Sequence, residues 1–249
     1  MEEKVIWSER RARFYNEALK YSDYPEKAME ALATLAKGCR SVLDVGAGVG
    51  ALTIPLAMLV ETVTALEPSK GMLRVLRRNL EREGIGNVVL VEGAWGEVEL
   101  PPHDLLLVAN VPNILEDIPR FVDEARKITR RSIVLIRNVE TGRDKFYLDE
   151  LYPLLFRKEY QRRGDYLNTY IALHQLGIHA DVKIIEYDFD QPFTDLQEAI
   201  LFWKEHLPLE TADQEEVLKG FLEARLRPIP EGLLAPIHKK SAVISWPVK

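Results

Sequence analysis

The stretch VLDVGAGVG, Val42 to Gly50, decides the fold of this chain. An apolar pair, Val42-Leu43, leads into Asp44, and glycines follow at alternate positions 46, 48 and 50. Ala51-Leu52-Thr53-Ile54 then opens a helical pattern. A buried strand, a glycine turn and the start of a helix account for this order. Glycine allows a sharp turn and lets a ligand meet the backbone with no Cβ in the way. Glu67 lies seventeen residues past Gly50 and closes a second apolar run, Val63-Thr64-Ala65-Leu66. A carboxylate so placed commonly grips two ribose hydroxyls. The pattern predicts an adenosine-containing cofactor.

Gly46, Gly48 and Ala51 also satisfy the G-x-G-x-x-G/A pattern of nicotinamide dehydrogenases, so the glycines alone leave the cofactor open. Asp44 discriminates. A carboxylate two residues before the first glycine repels a pyrophosphate and suits a cationic amino group. S-adenosylmethionine carries an ammonium, a sulfonium and no phosphate. At this point the chain resembles the class I S-adenosylmethionine-dependent methyltransferases. DVGAGVG at 44–50 is similar to their first motif, ALEPSKGML at 65–73 to the second, VEGAW at 91–95 to the next and HDLLLVANVPNIL at 103–115 to the fourth. The resemblance spans residues 38 to about 138 and speaks to cofactor more than to substrate.

That resemblance implies a cofactor site of Asp44, Gly46, Ala47, Gly48, Gly50, Glu67, Pro68, Met72, Gly93, Ala94, Trp95 and Asn110. Glu67 would hold the ribose and Met72 would pack by the adenine. Ala94 stands where the family usually has an acidic residue or asparagine, so a side-chain bond to the adenine amino group is not expected there. Asn110-Val111-Pro112-Asn113 faintly resembles the Asn/Asp-Pro-Pro-aromatic motif of enzymes that methylate adenine or glutamine nitrogen. It lacks the final aromatic on which those enzymes stack a planar target, which weighs against that class.

Outward from the glycine turn, strands alternate with helices. Strands are expected at Ser41–Val45, Val63–Leu66, Val88–Val91, Leu105–Ala109 and Ser132–Arg137, with helices near 49–59, from Ser69 to Gly84 and at 118–128. This order implies a parallel, doubly wound sheet with helices on both faces. Ligands in such sheets bind beyond the carboxyl ends of the strands, which would gather Gly46, Glu67, Ala94, Asn110 and Arg137 at one edge. Two helices are expected over 5–37, the second with Asp23 as N-cap, Pro25 in its first turn, Glu26 completing the cap and Gly38 as its stop. They either fold over the cofactor or simply cover the sheet. Beyond Arg137, helices are expected at 145–160 and 166–177, joined by a turn at Arg163-Gly164-Asp165. A sixth strand at Val182–Phe189, helices at 195–206 and 213–226 and a last strand at Ala242–Val248 complete the chain. The resembling fold implies a seven-stranded sheet whose last strand is antiparallel and inserts beside the fifth. One domain is expected: an N-terminal segment 1–37, a cofactor core 38–140, core plus helical insertions 141–230 and a last strand in 231–249.

The 249 residues are 47% apolar, enough for a sizeable core. A net charge of −6 with scattered basic pairs argues against nucleic acid as the main partner. The single cysteine, Cys39, excludes an intrachain disulfide and reads as structural. No secretory leader is expected in MEEKVIWSERR, and no run approaches the about 18 apolar residues of a membrane span, so a cytoplasmic enzyme is expected.

Residues 146–206 hold 12 of the 21 aromatics, among them Tyr152, Phe156, Tyr160, Tyr166, Tyr170, Phe202 and Trp203. Such a segment serves either as an apolar lid over a methyl acceptor or as ordinary packing of added helices. The lid reading places the acceptor against Asn110, Tyr170 and Trp203. Methyl transfer is an in-line displacement, so the protein chiefly aligns the nucleophile and excludes water. A base is needed only if the acceptor must lose a proton. No catalytic residue is assigned. His103, His174, His179, His206 and His238 lack metal-ligand spacing, and only His174 and His206 are candidates for a base. No metal is expected. The leading expectation is a methyltransferase of a small, partly apolar molecule. The alternatives are methylation of a protein or nucleic acid, a nicotinamide oxidoreductase, and a non-catalytic cofactor-binding module.

Overall fold

The computed structural model describes residues 8–111, 113–139, 146–161 and 166–248. The expected turn at Arg163-Gly164-Asp165, residues 5–7 of the first helix and Pro112 lie outside them, as does the side chain of Asn113. Seven strands form the main sheet. They are β1 (Ser41–Val45), β2 (Thr62–Glu67), β3 (Val88–Glu92), β4 (His103–Ala109), β5 (Thr129–Asn138), β6 (Asp181–Asp188) and β10 (His238–Pro247). Their order is β3-β2-β1-β4-β5-β10-β6. The pairings β3–β2, β2–β1, β1–β4 and β4–β5 are parallel, and β10 is antiparallel to both β5 and β6. The last strand thus inserts beside the fifth, as the resemblance implied.

Central strands read as continuous apolar runs because both faces are covered. Val42, Leu43, Leu105, Leu106, Leu107, Val134 and Leu135 are fully buried. On one face, Val42, Leu105, Leu107 and Val134 meet helix α2 (Tyr24–Ala36) and the short α3 (Thr53–Ala57). On the other, Leu43, Val45, Leu106, Val108 and Leu135 meet α5 (Ile118–Lys127) and Leu173 of α7 (Tyr166–Gln175). Helix α4 (Lys70–Arg82) starts at Ser69, whose side chain accepts from the Met72 N–H. It packs Leu73, Leu76 and Leu80 against Ala65.

The N-terminal segment divides between two places. Helix α1 (Glu9–Ala18) and the turn that follows it lay Ala12, Tyr15 and Leu19 on Val49, Met72 and Val75, directly over the glycine turn. Helix α2 covers the sheet. Asp23 does stand at its N-cap, but its carboxylate makes no cap bond. It instead accepts from the Asp188 N–H at 2.7 Å, so a tertiary contact has displaced the expected cap.

The helices expected as one lid separate into two structures. Helix α7 belongs to the sheet, packed beside α5 as the crossover from β5 to β6. Helices α6 (Leu148–Phe156), α8 (Leu196–Lys204) and α9 (Ala212–Arg225) instead build a module with its own core. They are joined by a three-stranded antiparallel sheet of β7 (Gln191–Phe193), β9 (Gly232–Ala235) and β8 (Arg227–Ile229). Runs of three and four residues show no usable alternation, so the sequence marks none of these short strands. Gly232 carries the one local signal for the hairpin: φ is +144°, and a Cβ there would lie 2.2 Å from the Phe193 carbonyl oxygen. The module leaves the main sheet after β5 and β6 and re-enters at the start of the antiparallel β10, so it stands beyond the carboxyl edge.

Candidate functional site

The three glycines of the turn do different things. Gly46, at φ +74°, anchors the turn to β2 through its N–H and the Leu66 carbonyl at 2.8 Å. A Cβ there would lie 2.3 Å from Val111 Cγ2, so the loop after β4 fills that space. Gly50, at φ +95°, is held by packing, since a Cβ would lie 2.5 Å from Leu76 Cδ1. Gly48, at φ +57°, is the open one: a Cβ would find only the Gly46 carbonyl oxygen, 4.0 Å away. A ligand approaching the bare backbone therefore meets Gly48.

Two buried carboxylates flank that position. Glu67 accepts from the Gly48 N–H through Oε2 at 2.9 Å and from the Ser69 N–H through Oε1 at 2.8 Å. Burial pushes its carboxyl above the ordinary range, opposed by these two bonds. Asp44 accepts from the Thr53 hydroxyl at 2.6 Å. Burial pushes its pKa up to about 6; the Thr53 bond opposes this and the Glu67 charge adds to it. A carboxylate held so far from water favours a cationic partner. Ala47 is buried and Pro68 exposed beside them.

A third component was not foreseen: an aromatic wall on the same face. The Tyr24 ring lies 4.8 Å from that of Tyr187, tilted by 47°, and Tyr15 lies 5.3 Å from Phe189. The Tyr24 hydroxyl lies 3.5 Å from Asn110 Nδ2, at the long limit of a hydrogen bond. Burial raises the pKa values of Tyr15 and Tyr24, with Asp44 contributing to each, so both phenols stay protonated. Asn110 itself adopts φ +56°, a left-handed conformation that asparagine tolerates better than most residues. No local pattern marks Tyr15, Tyr24 or Tyr187 as a group. They lie 9 and 163 residues apart in sequence and converge only through the packing of α1, α2 and β6.

Other expected residues take different places. Met72 is buried under α1, with Ala12, Val49 and Val75. Gly93 closes on Val98, since a Cβ would lie 2.7 Å from Val98 Cγ1. The Ala94 N–H faces Glu97 Oε2 at 3.3 Å. Trp95 packs on Phe121 and donates from its indole to Glu124 Oε2 at 2.8 Å. Trp203 is wholly buried in the core of the module, its indole N–H donating to the Phe146 carbonyl, and so has no surface to offer an acceptor. Tyr170 is half-buried on the α5 face of the sheet, opposite to Asp44 and the aromatic wall. His174 lies exposed 5.4 Å from His179, near the end of α7 that leads into the amino end of β6. The geometry therefore removes it as a base. His206 sits in the module, its Nδ1 2.7 Å from the Phe202 carbonyl. His103 bonds Thr64 in the core and His238 bonds Asp188 at the surface. Among the described residues no group of three or more potential ligands could hold a metal ion, and no helix is long and apolar enough to cross a membrane.

A groove of about 620 Å³ runs between α1 and α4, walled by Arg10, Arg13, Arg78 and Arg82 with Glu9 and Glu17. Three of its four arginines are matched by carboxylates: Arg10 pairs with Glu205, Arg13 with Glu198 and Arg82 with Glu83, while Arg78 has no ion-pair partner among the described residues. The groove is not a broad basic face.

Residues 42–132 match the model of the methyltransferase domain family. A Haemophilus influenzae protein of unassigned function is 25% identical over 238 residues, covering 92% of this chain and 83% of its own length. The ribosomal RNA small subunit methyltransferase A of Desulforapulum autotrophicum is 30% identical over 107 residues. That match covers 41% of this chain and only 38% of the relative, well under two thirds of it. The crystal structure of YcgJ from Bacillus subtilis superposes with a TM-score of 0.52 at 18% identity, covering 88% of this chain and 97% of that one, and so shares the fold. Sheet order, glycine turn and domain match agree: the chain carries a methyltransferase domain, residues 42–132, on the fold of the class I enzymes, and its cofactor is S-adenosylmethionine.

Proposed function

We propose that this enzyme methylates a small, partly apolar acceptor held at the carboxyl edge between the Asn110 loop and the aromatic wall of Tyr15, Tyr24 and Phe189. The carrying observation is that wall, which shares a sheet face with Asp44 and is tied to Asn110 through Tyr24. Tyr24 and Phe189 are themselves buried, so an apolar acceptor meets this wall through the half-buried Tyr15 and the exposed Asn110.

The residues at the turn suit the cofactor in distinct ways. The bare Gly48 backbone admits it. Glu67 accepts from the ribose hydroxyls with the lone pairs left by Gly48 and Ser69. Asp44 meets the ammonium. S-adenosylmethionine supplies an activated methyl group on a sulfonium, and the protein's share is alignment and exclusion of water. Tyr15 and Tyr24, kept protonated, act as walls and hydrogen-bond donors rather than bases. An acceptor with a free lone pair needs no base. The module beyond the carboxyl edge acts as cover for this site.

An RNA acceptor, suggested by the name of the Desulforapulum relative, would need a surface that attracts phosphates. The groove on α1 and α4, where three of four arginines are carboxylate-matched, does not provide it. The test is incubation of the enzyme with methyl-labelled S-adenosylmethionine and three fractions of a cell extract: small molecules, RNA and protein. Label is expected in the small-molecule fraction. Label confined to RNA or protein would overturn the proposal.

A further inference from the structure

We propose that the open edge of β6 is a self-association surface, on which two copies of this chain pair β6 with β6 about a two-fold axis. The inference is independent of what the enzyme methylates.

Strand β6 ends the main sheet, bonded on its inner side to β10 from Asp181 to Asp188. Its outer side is capped at one end only. The Asp188 N–H donates to Asp23 Oδ1 at 2.7 Å, and the Asp188 carbonyl accepts from the Ser22 hydroxyl at 2.8 Å. In an antiparallel pairing, the N–H and C=O of one residue point the same way and successive residues alternate. Val182, Ile184 and Glu186 therefore point their backbone groups outward like Asp188. Among the described residues no other element pairs with them. The same stretch exposes apolar side chains: Val182 is 40% and Ile184 42% exposed. Helix α7, in the layer above, exposes Leu167 and Ile171 one turn apart. An exposed edge with apolar side chains is a template for another strand.

Charge selects both the occupant and the register. Asp181 and Lys183 have no ion-pair partner among the described residues. Pairing about Val182 puts Asp181 of each copy opposite the partner's Lys183, at the close, non-hydrogen-bonded positions. Two complementary pairs form at once, because a two-fold contact uses the same patch twice. Val182 meets its own copy with outward backbone groups facing each other, and Ile184 lies opposite the partner's Ala180. Shifting the register by two residues sets Lys183 against the partner's Lys183, which like-charge repulsion disfavours. A shift by one turns the apolar set to the wrong face. The edge thus complements itself, and the occupant is a second copy.

Sedimentation velocity on the full chain at micromolar concentration tests this. Wild type is expected to sediment as a dimer. Asp181→Lys and Lys183→Asp, each alone, set like charges opposite one another and are expected to raise the dissociation constant roughly tenfold. Combined in one chain they exchange the charges and are expected to restore the dimer. Both positions are exposed, so the variants keep the fold, which circular dichroism checks. A monomeric wild type would overturn the proposal, and so would a dimer indifferent to both single reversals.

Discussion

The Gly48 N–H donates to Glu67 Oε2 at 2.9 Å, joining the turn after β1 to the end of β2. Nineteen residues separate the partners in sequence. The bond makes the carboxylate proposed for the ribose a brace of the glycine turn as well. A buried carboxylate with two backbone donors is strongly oriented, and orientation is what recognition of two adjacent hydroxyls requires.

Glu67→Ala is expected to weaken binding of S-adenosylhomocysteine by about 1.5–3 kcal/mol, the range for hydrogen bonds to charged groups. It should also lower thermal stability, because the Gly48 and Ser69 donors lose their partner. Calorimetric titration and a melting curve read the two effects. An unchanged dissociation constant would place the ribose elsewhere.

Gly46→Ala should cost stability twice, through a left-handed φ worth about 1–2 kcal/mol and through collision with Val111. Val111→Ala in the same chain removes the collision and is expected to recover part of the loss. Equal destabilisation of the single and double variants would mean that the loop after β4 does not fill the space beside Gly46.

Asp44 gives a pH dependence of definite sign. Its folded pKa of about 6 lies above the ordinary value of 3.8, so the folded chain holds a proton that the unfolded chain releases. Stability from this group is full below the unfolded value and declines as pH rises through about 6. The cofactor's ammonium favours the ionised form. Binding should therefore tighten as pH rises through the same window and release a proton. Calorimetry in buffers of different ionisation enthalpy measures that proton. Uptake instead of release would contradict the assignment.

Trp203→Ala and Tyr24→Phe should separate packing from recognition. Trp203 is fully buried in the module, so its truncation should cost about 3–5 kcal/mol of stability. Tyr24→Phe keeps the ring and removes only the hydroxyl near Asn110. It is expected to leave the fold and cofactor affinity intact and to reduce acceptor turnover. Loss of cofactor affinity alone would move Tyr24 from the acceptor to the cofactor.

Hydrogen exchange should distinguish the two groups of C-terminal helices. On addition of cofactor and acceptor, α6, α8 and α9 are expected to slow, because the module they build stands beyond the carboxyl edge, where it is proposed to cover the site. Helix α7 should change little, since it is a layer of the sheet. Equal slowing of all four would return α7 to the cover.

Local sequence determined the parts whose physics is local. The order of strands and helices up to Asn138 follows from apolar runs and periodicity, and Ser69 caps α4 where its side chain alone predicts. Positive φ angles fall at Gly46, Gly48 and Gly50 because only glycine takes them without strain. Asp44 and Glu67 announce themselves as carboxylates at strand ends. Tertiary structure decided what depends on distant chain segments. Val111 claims the space beside Gly46, and Asp188 draws Asp23 from its cap. The aromatic-rich segment divides between a layer of the sheet and a separate module, since composition tells that rings are buried but not against what. Tyr15, Tyr24 and Tyr187 become one wall because α1, α2 and β6 meet at one edge, a convergence carried by packing rather than by spacing along the chain.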